Sequence, residues 1–75
     1  MKKIISQNVI NRNIWVLRNR RGISLREAAV ELKIDFRTLS GIEYENAEPK
    51  ASVLLAVCEF YEVDDMKKLL TELIE

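Results

Sequence analysis

Seventy-five residues, 48% of them apolar and carrying twelve basic against twelve acidic side chains, suit one small domain of zero net charge spanning residues 1–75. With no histidine and a single cysteine, Cys58, an internal disulfide and the zinc sites of known ligand spacing are excluded, so neither metal nor cofactor is expected. The longest apolar run, 53–58, is far short of a bilayer span and the first residues lack the hydrophobic stretch of a signal peptide, which points to a cytoplasmic chain with no membrane contact.

Taken in chain order, a first helix is expected from about Val9 to Arg20, with Ile10, Ile14 and Leu17 at i, i+4 and i+7 facing inward. Ser6 or Asn8 supplies its cap, and Gly22 the left-handed stop. A second helix runs from about Leu25 to Lys33. Ser24 and Glu27 form a capping-box pattern at its start, and Ala28 and Ala29 are small enough to let a neighbouring helix cross closely.

Lys33, Ile34 and Asp35 make a short turn, with Asp35 as the next cap and Ile34 as an apolar plug. From Phe36 a third helix separates into two faces. Leu39, Ile42 and Glu43 turn inward, whereas Phe36, Arg37, Ser40, Gly41 and Tyr44 fall on the other side. An arginine, a hydroxyl, a phenol, an aromatic ring and a glycine make a poor core. They suit a major groove, where arginine bonds guanine bidentately and a ring touches a thymine methyl.

A fourth helix follows Pro49, from about Ala51 to Tyr61, with Leu54, Val57, Cys58 and Tyr61 on its inner stripe. The last helix, within 65–74, is capped by Asp64 or Asp65 and carries Met66, Leu69, Leu70, Leu73 and Ile74. Leu69, Leu70, Leu73 and Ile74 offer either a two-fold dimer contact or the closing layer of the core. A domain this small retains only about 5 kcal/mol of net stability, so association with a second copy is a live expectation.

Charge is unevenly spread along the chain. Residues 1–42 hold nine basic and three acidic side chains, and residues 43–75 reverse that ratio. A basic head and an acidic tail can steer a duplex to one face of a neutral molecule. The usual general-base and nucleophile pairs are absent, and no catalytic residue is nominated.

The segment Ile14-Trp15-Val16-Leu17-Arg18-Asn19-Arg20-Arg21-Gly22-Ile23-Ser24, then Thr38-Leu39-Ser40-Gly41-Ile42-Glu43, then Pro49 followed by Leu54, Val57 and Cys58, resembles the Cro and phage-repressor type of helix-turn-helix regulators, also called the xenobiotic-response-element family. The resemblance covers roughly Ile14 to Leu70. It implies an all-α, compact five-helix, lambda-repressor-like domain whose helix-turn-helix, about 24–44, is formed by helices 2 and 3.

It further implies a sequence-specific regulator of transcription, a repressor, that reads the major groove of double-stranded DNA with the helix starting at Phe36. Phe36, Arg37, Ser40 and Tyr44 are the expected readers. Thr38 and Ser24, helix-terminal residues first, are expected to bond phosphates second, and Arg26 joins them. By resemblance Arg18 and Glu43 form an inward-facing ion pair between the first and third helices. Leu25 stands where the family usually carries a phosphate-binding glutamine, and Gly41 where a longer side chain is common. The alternative is a protein-interaction module of the same fold, an antitoxin or anti-repressor, whose neutral surface serves a protein partner.

Overall fold

Five short helices follow from five sets of start and stop signals in the computed structural model, which describes residues 5–74. Helix α1, Val9–Arg21, is closed by Gly22 at φ 69°, whose N–H donates to the carbonyls of Arg18 and Asn19. Asn8 occupies the position before α1 but its side chain makes no capping bond, and Ser6 is turned elsewhere. The expectation that one of the two caps α1 is therefore corrected.

Helix α2, Leu25–Leu32, has the full capping box: Ser24 Oγ accepts from the Glu27 amide at 3.1 Å, and the Glu27 carboxylate accepts from the Ser24 amide at 3.4 Å. It ends at Lys33, a non-glycine residue at φ 58°, whose N–H bonds the Val30 carbonyl while that of Ile34 bonds Ala29. Asp35 then precedes α3, Phe36–Tyr44, with extended backbone but no side-chain cap, so the expected cap is a backbone position only.

Helix α4, Ala51–Phe60, buries Val53 and Val57, with Tyr61 buried just beyond its end, whereas Leu54 and Cys58 are half-buried. Val57 and Tyr61 of the expected stripe are in the core, and Val53 joins them ahead of Leu54 and Cys58 because residues spaced by four face the core where α4 packs on α2. Helix α5, Met66–Thr71, is capped by Asp65, whose Oδ1 accepts from the Lys67 amide at 3.0 Å.

One core joins all five elements through Ile14, Leu17, Ala28, Ala29, Leu32, Leu39, Ile42, Val53, Val57, Tyr61 and Leu69. Helix α1 packs on α3 and α5, and α2 packs on α3 and α4. Ala28 and Ala29, both buried, lie on the helix that α3 and α4 both meet, and their small size permits that approach. Leu69 is wholly buried here, which corrects its place among the expected dimer contacts; Leu70 and Leu73 remain exposed and Ile74 packs partly against the core.

The helix ends near α1 are fastened by two asparagines that are themselves fully buried. Asn13 Nδ2 donates to the carbonyls of Leu69 and Glu72 at 2.8 and 2.7 Å, and its Oδ1 accepts from the Ile74 amide at 2.9 Å. Helix α5 stops at Thr71, shorter than expected, where these bonds take over its terminal carbonyls.

Candidate nucleic-acid interface

The outer face of α3 is built by its inner one. Leu39, Ile42 and Glu43 are essentially inaccessible, which turns Arg37 and Thr38 to solvent and leaves Gly41 and Tyr44 half-exposed beside them. The Arg37 side chain makes no hydrogen bond or ion pair to any other described residue. Its guanidinium is therefore available for a bidentate acceptor.

Ser40 departs from the expected reading face, because only 7% of it is exposed. At 100° per residue it lies between Glu43 on the inner face and Tyr44 on the outer one, and the surrounding structure covers that boundary. Gly41 is also not an open gap. The chain after α3 folds back over it, with the Ala47 N–H on the Gly41 carbonyl at 3.1 Å and Ala47 Cβ within 3.5 Å of where a Gly41 side chain would begin.

Phe36 is 37% exposed at the start of α3, and the Arg26 guanidinium from α2 lies over its ring, 4.7 Å from the centroid. Such stacking holds a flexible arginine in a defined place. Ser24 is exposed but already engaged in the α2 capping box, and Thr38 sits exposed in the first turn of α3. The structure thus brings Arg26, Phe36, Arg37 and Thr38 to the N-terminal part of the helix pair, with Tyr44 at the far end of α3.

Arg18 and Glu43 meet beneath this face. Arg18 Nε donates to both Glu43 oxygens at 2.9 and 3.0 Å, one Nη donates to the Ile23 carbonyl at 2.9 Å, and the other to the Tyr44 hydroxyl at 3.3 Å. The single guanidinium thus ties α1 to α3 and orients Tyr44. Burial pushes the Glu43 carboxyl above its usual range, against the hydrogen bond and charge of Arg18 that hold it down. Burial also pushes the Tyr61 hydroxyl up to about 12, aided by the negative charge of Glu43 and opposed by Arg18 and Arg21.

Sequence reasoning missed Asn11, Asn13 and Asn46 and gave Ser6 a different helix end, although these are the polar residues that fasten the helix ends. The signal was present in part: Asn11 falls three residues before Ile14 and seven before Arg18, on the inward stripe of α1, where an amide needs buried partners.

A groove of about 470 Å³, which shares Arg26 with the α3 face, is lined by Arg21, Ile23, Arg26, Glu27, Val30, Glu31 and Phe60. Val30 is 74% exposed there, and Arg21 stacks on Phe60 while donating to its carbonyl at 2.9 Å. Among the described residues no helix is long and apolar enough to cross a membrane.

None of the curated proteins compared matches the chain. A family model described as helix-turn-helix does match, over residues 17–65, from the second half of α1 to the residue before α5. That span holds α2, its αL turn and α3 in the geometry set out above, and the chain belongs to the Cro/C1-type helix-turn-helix family of DNA-binding regulatory domains.

Proposed function

We propose that this chain is a sequence-specific repressor that inserts α3 into the major groove of an operator in the cytoplasm. Arg37 is the principal base reader, Phe36 touches a thymine methyl, and Arg26, Thr38, Ser24 and Tyr44 hold the backbone. The observation that carries this reading is Arg37 itself: exposed, without a partner among the described residues, and in the first turn of a helix whose opposite face is locked into the core. Ser40 contributes little direct contact, given its burial.

Selection of bound duplexes from a random pool, then comparison of wild type with Arg37→Ala on the winner, tests the reading. The expected loss is about 1–3 kcal/mol with relaxed preference at one base position. Equal binding by both proteins across all sequences removes Arg37 as a reader.

A protein-interaction module of the same fold is the second reading, favoured by the groove beside Val30 and by the zero net charge. Salt separates the two, since phosphate neutralisation makes affinity fall steeply as salt rises. No binding to any duplex pool at low salt sinks the regulator reading.

A further inference from the structure

Helix α3 has nine residues, so the fate of its last carbonyls decides where it stops and how it is aimed. Two of those carbonyls are satisfied from the other end of the sequence. The Ile42 carbonyl accepts from Ser6 Oγ and from Asn11 Nδ2, both at 2.8 Å, and the Glu43 carbonyl accepts from the Ser6 amide at 2.7 Å. Asn11 spends its second amide proton on the Ala47 carbonyl at 2.6 Å.

The loop answers in kind. Asn46, at φ 55°, donates its N–H to Ser6 Oγ at 2.8 Å, and its Oδ1 accepts from the Gln7 amide at 2.9 Å and the Asn8 amide at 3.5 Å, at the start of α1. The C-terminal end of α3 and the N-terminal end of α1 therefore cap one another. An oxygen at the N-terminus of α1 and donors at the C-terminus of α3 also match the sign of each helix dipole.

The match is stoichiometric. The Ser6 hydroxyl has one proton and gives it to Ile42, while accepting from Asn46; the Asn11 amide has two and gives both to carbonyls. Ser6 and Asn11 are each 1% exposed, and their two bonds to the Ile42 carbonyl are buried away from bulk solvent, whereas those to Asn46 and Ala47 are part-buried. Neither residue is charged or reaches the outer face of α3, which excludes a direct part in holding phosphates.

We infer that Ser6, Asn11 and Asn46 are positioning residues for DNA reading: they fix the end and the aim of α3, and with them base discrimination, Ser6 and Asn11 from buried positions that do not reach DNA. This rests on the reading of α3 as the groove-entering helix. Discrimination needs side chains held to within about 0.5 Å, whereas attraction to phosphates tolerates a looser helix.

The test uses Ser6→Ala, which deletes the shared hydroxyl, and two variants of the exposed Asn46. Asn46→Gly keeps the left-handed backbone but removes the oxygen acceptor, and Asn46→Asp keeps both. Each variant of the 75-residue chain is assayed at a temperature where circular dichroism shows it folded. Affinity is measured for the selected duplex and a random duplex across a salt series, and amide exchange is followed at Glu45–Ala47 and in α4.

Ser6→Ala and Asn46→Gly are expected to lose about tenfold in the ratio of selected to random affinity while keeping the wild-type salt slope. Their Glu45 and Ala47 amides exchange faster with α4 unchanged, and Asn46→Asp retains discrimination. Equal loss of affinity for both duplexes, or wild-type discrimination in Ser6→Ala and Asn46→Gly, overturns the inference. Failure of the α3 reading itself shows elsewhere, as absent discrimination in the wild type or no effect of Arg37→Ala, and takes the inference with it.

Discussion

Lys33 and Tyr61 each carry a conformational or solvation strain that substitution can relieve. Lys33 closes α2 in the left-handed region, where a Cβ carries a steric cost of about 1 kcal/mol that glycine does not. Lys33→Gly is expected to raise the thermal midpoint by roughly 4–8 °C, read by circular dichroism, with no change in fold. An unchanged or lower midpoint means that the longer side chain contributes packing that offsets its backbone strain. Tyr61 is the other case: its hydroxyl is buried with no hydrogen-bond partner among the described residues. Tyr61→Phe removes an unsatisfied group and is expected to be neutral or stabilising by up to about 1 kcal/mol in urea titrations. The pH dependence has a definite sign. An unfolded tyrosine ionises near 10 and the folded Tyr61 near 12, so the native state holds the extra proton between them, and stability falls as pH rises through that window. Wild type minus Tyr61→Phe isolates this loss from other titrating groups, and a pH-independent difference between pH 9 and 12 contradicts it.

Between elements, the ion pair from α1 to α3 governs whether the outer face of α3 is held in place. Glu43 is completely buried and the Arg18 side chain is 10% exposed, so removing either partner strands a charge. Glu43→Leu alone is expected to cost about 3–5 kcal/mol, a large part of what a domain of this size possesses. Combining it with Arg18→Met should recover most of that loss, because the stranded charge disappears with the second change. A double-mutant cycle in urea checks this, and additive losses contradict it. Part of this level was legible from the chain. The capping box at Ser24, the stop at Gly22 and the inward Glu43 follow from local chemistry or spacing, whereas the mutual capping of α1 and α3 joins residues 31 to 40 positions apart and has no local signature.

For the whole molecule, the exposed Leu70 and Leu73 at the end of α5 are what remain of the apolar surplus after Leu69 enters the core. A second copy covering them makes a two-fold dimer, and one that reads DNA with both α3 helices needs them about 34 Å apart, one turn of DNA, on a palindromic operator. Sedimentation of wild type against Leu70→Glu/Leu73→Glu is expected to show a dimer converted to a folded monomer. A wild type that stays monomeric at high micromolar concentration removes the dimer. The same surface accounting explains the one shift in the α4 stripe: Val53, Leu54 and Cys58 are all apolar enough for a core, and only the packing of α4 against α2 chooses Val53 to join Val57 and Tyr61.

By itself the sequence determined the number and order of the helices, the tight turn between α2 and α3 and the outward placement of Arg37, because caps, glycine stops and a 3.6-residue period act over a few neighbouring residues. Tertiary structure alone decided that Ser40 is covered, that Gly41 is folded over by the loop, that Leu69 belongs to the core, and that Ser6, Asn11, Asn13 and Asn46 fasten the helix ends. The last of these depends on which buried carbonyl lies opposite which donor. That pairing exists only once distant segments have met, and an unpaired buried polar group is too costly for it to be left to chance.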